Sequence, residues 1–167
     1  MTYYTYKFRL QPNADQVSRL SQHFGVCRYV YNHFLNQRNT LYKDTGKGST
    51  YHKDCLSLTK LKKELPWISN VNSQSIQQEL KNLDTAFKRF FKKQSNFPKF
   101  HSKNKDKQSF LVPQAVTVKN DNIYIRKFQE GIRLKQHRPI EGKIKHATIA
   151  QNRSGQYFAF ICVERNI

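Results

Sequence analysis

Carboxylate and histidine side chains could bind a metal ion, but the spacing in this sequence does not group them. Cleavage of a phosphodiester by two metal ions requires clustered carboxylates that hold the ions beside the reacting water. The eleven acidic residues are scattered from Asp15 to Glu164, and none forms a D-x-D pair. The histidines show no H-E-x-x-H or Cys/His ligand spacing, and neither G-x-S-x-G nor a phosphate-binding glycine loop occurs. The sequence predicts no catalytic residue, no metal ligand and no cofactor in this chain.

Basic residues dominate the charge of the chain. Lysine and arginine number 30 against 11 aspartates and glutamates, which gives a formal net charge of +19 and a pI near 10.0. This excess favours a polyanionic partner, because binding to phosphates releases condensed counterions. We therefore expect nucleic acid as the partner, and the alternative is a merely basic soluble protein.

The sequence shows no sign of membrane insertion or secretion. No apolar stretch approaches the length that spans a bilayer, and the start, MTYYTYKFRL, lacks the apolar run and cleavage site of a signal peptide. Cys27, Cys55 and Cys162 are far apart and never form a C-x-x-C pair. We expect a cytoplasmic protein with reduced thiols and no membrane partner.

The stretch NSQSIQQELKNLDTAFKRFFKKQSNFPKF, residues 72–100, predicts the helix around which the chain is organised. Apolar residues recur in it at steps of three and four, and lysines and arginines fall largely on other faces. Ser73 or Ser75 is expected to cap its start, and Ser95-Asn96-Phe97-Pro98 to end it. The apolar positions are Ile76, Leu80, Leu83, Phe87 and Phe91.

Three further helices are expected before this one. Asn13 with Gln16 can cap a short first helix that Gly25 interrupts, and Val26 to Asp44 continues as a second. A third runs from Tyr51 to Leu65, before Pro66. The first two could form a helix-turn-helix, but amphipathic helices joined by glycine are common in bundles, so we favour bundle packing.

Period-two alternation predicts strands in the rest of the chain. Tyr3 to Leu10 alternates apolar and polar residues, and so do several segments after Phe110. Polar turns about a dozen residues apart suggest a small antiparallel barrel or sandwich. The first strand is expected to pair into this barrel, which makes the fold α+β with a helical bundle inserted after the first strand.

The segment FPKFHSKNKDKQ, residues 97–108, is a basic loop. A solvated surface loop and a site of phosphate contact are equally good interpretations of it.

Several stretches together resemble one family. In order they are YKFRLQPNADQ, GVCRYVYNHFL, LTKLKKELPWI, SQSIQQELKNLDTAFKRFFKK, FPKFHSKNKDKQSF and RPIEGKIK. Their order and spacing resemble the N-terminal half of TnpB, the OrfB-type protein of bacterial insertion sequences. Members of this family resemble compact ancestors of type V CRISPR effectors, which are RNA-guided DNA endonucleases.

The resemblance implies an architecture. Residues 1–11 and 97–167 would form a wedge-type β-barrel, and residues 12–96 a helical recognition bundle that contains the helix-turn-helix region. In the family, the last wedge strand leads to a Gly-Ile-Asp-x-Gly strand of a RuvC-like nuclease. This sequence stops at Glu164-Arg165-Asn166-Ile167, so we expect no catalysis by this chain alone and divalent metal only in the nuclease half.

The resemblance also implies contacts. Glutamine suits base reading, because its amide can donate to and accept from one adenine edge. By position in the family pattern, the residues expected to read the motif beside the DNA target are Tyr51, Ser73, Gln74, Gln77, Ser109, Phe110 and Gln114. The residues expected to contact phosphates or RNA are Arg28, Lys88, Arg89, Lys92, Lys93, Lys99, Lys103 and Lys105.

The function implied is binding of a guide RNA and of the duplex motif that flanks the target, in a transposon protein associated with the bacterial nucleoid. One alternative is half of a split RNA-guided DNA endonuclease, completed by a separate RuvC-like chain. Another is a helix-turn-helix transposase fragment that binds duplex DNA in recombination without RNA.

Overall fold

The computed structural model describes residues 2–103 and 108–166. These residues divide into two compact units. The sheet unit comprises residues 2–24 and 108–166, and the helical unit comprises residues 25–103. Helices and an antiparallel sheet occur in separate parts of the chain, which confirms the α+β class predicted from the sequence.

The sheet unit is built on one seven-stranded antiparallel sheet with the order β2-β6-β7-β1-β5-β4-β3. The first strand lies inside the sheet, between β5 and β7, and the helices are inserted between β1 and β2 along the chain, as predicted. The barrel is not confirmed, because β2 and β3 form the two edges of an open order. The strands are β1 (Thr2–Gln11), β2 (Gln108–Val112), β3 (Thr117–Lys119), β4 (Asn122–Ile125), β5 (Phe128–Lys135), β6 (Lys143–Gln151) and β7 (Tyr157–Arg165).

The alternation in β1 shows how the sequence sets the faces of the sheet. Tyr6, Phe8 and Leu10 are buried, whereas Lys7 and Arg9 between them are exposed. Successive side chains of a strand point to opposite faces, so one face joins the core and the other carries the charge.

Three α-helices follow: α1 (Ala14–Thr45), α2 (Tyr51–Glu64) and α3 (Ser73–Phe91), with a short 3₁₀ helix at Pro66–Asn70. The prediction that Gly25 separates two helices is wrong, because α1 is continuous through it. Glycine costs about 1 kcal/mol relative to alanine in a helix, which the burial of an uninterrupted apolar stripe outweighs. The stripe continues across the glycine through Leu20, Phe24, Cys27, Tyr31 and Phe34.

The helix starts are fixed by side-chain caps. Asn13 N donates to Gln16 Oε1 at 3.0 Å and Gln16 N donates to Asn13 Oδ1 at 2.9 Å, which confirms the predicted cap of the first helix. The cap predicted for α3 is wrong, since Asn72 rather than Ser73 or Ser75 is its N-cap. The expected end at residues 95–98 is also too late, because α3 ends at Phe91.

The helical unit has its own apolar core. All three of its helices and the 3₁₀ helix contribute to it, and the predicted seam of α3 supplies four members. The core residues are Val26, Val30, Tyr31, Phe34, Leu35, Leu58, Leu61, Ile68, Val71, Ile76, Leu80, Leu83 and Phe87.

Candidate nucleic-acid interface

Helix α3 positions the predicted contacts of the helical unit. Its apolar face is buried through Ile76, Leu80, Leu83 and Phe87, so the opposite face must meet solvent. Asn72 fixes the start of the helix, since its Oδ1 accepts from Gln74 N at 3.4 Å and its Nδ2 donates to Ser75 Oγ at 3.0 Å. The start of the exposed face is thereby held by the helix cap.

The exposed face carries one row of polar and basic side chains, which we call the α3 row. Residues four, four, three and four apart lie on one side of a helix, because each residue turns it by about 100°. The row spans about 22 Å at a rise of about 1.5 Å per residue. Its members, all exposed, are Gln77, Lys81, Thr85, Lys88 and Lys92.

Tyr51 meets this row. Lys81 Nζ lies 5.9 Å from the centroid of the Tyr51 ring. Burial, together with the neighbouring Cys55 thiol, raises the pKa of Tyr51 to about 12, so its hydroxyl stays protonated and can donate a hydrogen bond. Tyr51 therefore lies beside the face of α3 that also presents Gln77, which precedes Lys81 by one helical turn.

The other predicted reading residues of the helical unit lie in the first turn of α3. Ser73 is exposed, whereas Gln74 is half-buried. Gln74 Oε1 is buried and has no hydrogen-bond partner within residues 2–103 and 108–166. A buried acceptor without a donor costs free energy, so this amide has an unused capacity for a partner.

Basic residues concentrate at the C-terminal end of α3. Lys88, Arg89, Lys92 and Lys93 are all exposed. Lys88 Nζ lies 3.0 Å from Asp84 Oδ2, one turn earlier. Partial burial acts to raise the pKa of Asp84, but hydrogen bonds from Lys88 and Arg38 outweigh it and lower that pKa. Lys88 is therefore partly neutralised, and the other three carry the positive potential of this end.

Asn32 ties the segment after α3 to α1. Asn32 Nδ2 donates to the His101 carbonyl at 2.9 Å, and His101 N donates to Asn32 Oδ1 at 2.8 Å. The His101 ring stacks on Tyr31 with centroids 4.0 Å apart and planes at 9°. These contacts place the exposed Lys99 and Lys103 on either side of an anchored residue.

Two further predicted phosphate contacts have other positions. Arg28 is half-buried on α1. Lys105 lies outside the described residues.

In the sheet unit, the predicted residues around β2 separate into two groups. Ser109 and Gln114 are exposed. Phe110 is only 1% exposed, and its ring lies 5.0 Å from His23 and 5.4 Å from Phe24 between centroids. Because that ring is part of the core, we exclude Phe110 from the proposed contacts with bases.

Residues 2–103 and 108–166 contain no group of three or more His, Cys, Asp or Glu side chains that could hold a metal ion. Among the helices of the described part, none is long and apolar enough to cross a membrane.

Comparison with known proteins places these features in a family context. Residues 1–47 match a family described as a helix-turn-helix domain, of the OrfB type found in insertion sequences. In the structure, the described part of this match forms β1 and α1. Together with the relatives below, the match confirms the resemblance to the TnpB family that the ordered motifs predicted.

Two relatives align with 97% of this chain. One, from Streptomyces pristinaespiralis, is named "Putative RNA-guided DNA endonuclease" and is 32% identical over 167 residues. The other, from Escherichia coli K12, is named "Putative RNA-guided DNA endonuclease InsQ" and is 30% identical over 165 residues. The alignments cover 42% and 40% of these proteins, so the chain spans about two fifths of their length.

A third relative is shorter. The virulence protein VsdF of Salmonella dublin is 29% identical over 109 residues, which cover 59% of this chain and 92% of VsdF.

Proposed function

We propose that this chain binds nucleic acid as part of a TnpB-type transposon protein, holding a guide RNA and reading the duplex motif beside the DNA target. The observation that carries the proposal is the α3 row, an exposed line of amide, hydroxyl and ammonium groups. It occurs in a chain that aligns almost completely with two proteins named as RNA-guided endonucleases.

The basic end of α3 suits the RNA backbone. Lys92 and Lys93 are exposed, and no acidic residue occurs between residues 85 and 103. RNA-guided proteins hold their guide through phosphates and helix shape rather than base sequence. Lysine side chains on a rigid helix end, continued by Lys99, supply such contacts.

The other end of the row suits a base edge. Gln77 is exposed in the first turns of α3. It lies one turn before Lys81, whose ammonium group contacts the Tyr51 ring. A glutamine amide can form a bidentate pair with adenine in the major groove. Ser73 and Gln74 are proposed as neighbouring contacts, and Ser109 and Gln114 as contacts from the sheet unit.

Catalysis is proposed to lie outside this chain. The two long relatives are named as RNA-guided DNA endonucleases, and this chain spans about two fifths of their length. A second candidate function is therefore one part of such a nuclease, with the carboxylates and divalent metal supplied by a separate RuvC-like chain. Addition of such a chain would then create RNA-guided cleavage that neither chain has alone.

The salt dependence of RNA binding tests the α3 row. The logarithm of the affinity falls linearly with the logarithm of the salt concentration, and each lost phosphate contact makes this slope shallower by about 0.7 for a single strand. The double variant Lys81→Ala with Lys92→Ala is therefore expected to make that slope shallower by about 1.4. The matched control is Lys60→Ala with Lys63→Ala, two exposed lysines on α2. Equal slopes for the two double variants would show that the α3 row does not contact RNA phosphates.

A further inference from the structure

An aromatic pocket lies in the helical unit, at the C-terminal end of α3. Its volume is about 380 Å³, within the range of sites that take small organic ligands. Phenylalanines 87, 90, 91 and 97 supply its apolar walls. The Phe97 ring lies 5.5 Å from Phe87 and 5.0 Å from Phe90 between centroids, in both cases edge to face. The walls are therefore aromatic faces and edges in fixed mutual contact.

Two of these rings remain open to solvent. Phe91 is 57% exposed and Phe97 is 44% exposed, whereas Phe87 is 6% exposed. Arg38, which also lines the pocket, packs on the Phe87 ring with its Cζ 5.1 Å from the ring centroid. The pocket thus combines a buried floor with aromatic surfaces that a flat ligand can reach.

The polar groups at the pocket complement a base with N–H donors. Asn39 lines it, and its buried Oδ1 has no hydrogen-bond partner in the described ranges 2–103 and 108–166. An amide with an unused acceptor gains free energy from an N–H donor, and rotation about its Cβ–Cγ bond can turn either polar group toward a ligand.

Cations surround the same pocket. Lys43 lines it, and Lys88 lines an adjoining pocket of about 300 Å³ that shares Arg38 and Phe91 with the first. Arg38 is neutralised by Asp54 and Asp84, so Lys43 supplies most of the positive potential at the rim, and Lys88, partly neutralised by Asp84, adds to it. A ligand with a planar apolar ring and a linked phosphate satisfies both parts of this environment.

We propose that this pocket binds one unstacked nucleobase of single-stranded RNA. The base stacks on Phe91 or Phe97, an N–H of the base meets Asn39, and the adjoining phosphates lie near Lys43 and Lys88. Aromatic stacking of a splayed base is a common mode of single-strand recognition. The inference rests on the proposed function, in that the chain must bind RNA.

The test compares two synthetic single-stranded RNAs of equal length and charge, one with all its bases and one abasic throughout its central part. The whole chain is expected to bind the complete RNA more tightly. Phe97→Ala and Phe91→Leu are expected to weaken that binding by about tenfold and to leave the abasic RNA unchanged. Phe91→Leu keeps apolar volume and removes only the aromatic face. The matched control is Phe100→Ala, a 53% exposed phenylalanine that does not line the pocket.

The outcomes distinguish a failure of the base pocket from a failure of RNA binding as a whole. Equal affinity of both RNAs, or equal loss in Phe97→Ala and Phe100→Ala, would overturn the base pocket while RNA binding itself stood. Failure of both RNAs to bind would overturn the pocket and the proposed function together. Thermal unfolding of each variant checks that an affinity loss is not a loss of fold.

Discussion

Arg38 of α1 and Asp54 of α2 form a buried ion pair in which one carboxylate oxygen accepts two hydrogen bonds. Arg38 Nε and Nη2 donate to Asp54 Oδ2 at 2.8 and 2.6 Å, and the side chains are 5% and 4% exposed. Nη2 also donates to Asp84 Oδ1 of α3 at 3.1 Å. One guanidinium thus joins all three helices of the helical unit, next to both pockets.

Loss of this guanidinium is expected to destabilise the helical unit. Arg38→Met leaves Asp54 and Asp84 without their shared partner, and breaking a buried pair costs about 3 to 5 kcal/mol. Urea unfolding followed by the fluorescence of Trp67, the one tryptophan of the chain, measures it. Arg89→Met is the control, since it removes an equal charge from an exposed position. Equal midpoints for the two variants would show that the pair does not hold the helices.

The stability of the helical unit is expected to fall as pH rises, because of Glu79. This side chain is 8% exposed, and burial raises its pKa to about 8, against an ordinary value of 4.5. The folded state therefore holds the proton more tightly than the unfolded state. The stabilising contribution is complete below about pH 4.5 and is lost as pH rises toward 8.

Glu79→Gln is expected to remove that dependence. Relative to the variant, the wild type should lose about 2 kcal/mol or more of unfolding free energy between pH 5 and pH 8. Cys27 and Tyr31 face this carboxyl from α1, but burial first and then Glu79 raise the pKa of each, so neither titrates in the window. The control is Glu64→Gln at an exposed position. Parallel pH profiles for wild type and Glu79→Gln would contradict the assignment.

The sheet unit is expected to show the opposite pH dependence, through His23. Burial lowers the pKa of His23 to about 4, and its Nδ1 lies 2.8 Å from the Arg19 carbonyl. Because the folded pKa is depressed, the contribution is present above about pH 6.5 and is lost as pH falls through 4.

Hydrogen exchange of the β5 amides between pH 4.5 and pH 6.5, corrected for the intrinsic exchange rate, reports this dependence. The wild type should gain protection with rising pH, and His23→Gln should not. His52→Gln, at an exposed position of α2, should behave as the wild type. A wild-type slope that survives in His23→Gln would assign the effect to another group.

Substitution of Gln77 is expected to change sequence preference rather than overall affinity. Gln77→Ala should cost about 1 to 3 kcal/mol of discrimination at one base pair of the flanking motif. Selection from a randomised duplex library by the RNA-bound protein measures this preference. Gln78→Ala is the control, because Gln78 Nε2 already donates to Asn82 Oδ1 at 3.0 Å along the helix surface. If both variants select the same motif as the wild type, Gln77 does not read it.

Local periodicity accounts for what the sequence predicted well. The alternation in β1 and the three- and four-residue steps of α3 each follow from one buried face, so they identified element type and core residues such as Ile76 and Leu80. The prediction of a helix break at Gly25 was wrong because it gave one glycine more weight than the buried apolar stripe, which runs unbroken from Leu20 to Phe34. Asn72 was missed as a cap because serines follow it directly.

Long-range partners could not be predicted from one sequence. Asn32 and His101 are 69 residues apart, and Arg38 and Asp84 are 46 apart, with no local pattern that links them. The aromatic pocket likewise requires Phe97 to fold back toward Phe87, although both residues belong to the helical stretch singled out at first. The closed barrel could not be predicted either. Alternation along a strand identifies its buried face, but it does not show whether the two edge strands of the sheet pair with each other.

The most direct test of RNA binding is to express the chain in its native host, purify it at moderate salt and sequence the RNA that accompanies it. The variant Lys81→Ala with Lys92→Ala, purified in parallel, is the reference. The proposed function predicts that RNA from the end of the transposon is enriched with the wild type and reduced with the variant. RNA that is unspecific in sequence, or equal in both samples, would contradict guide binding by this chain.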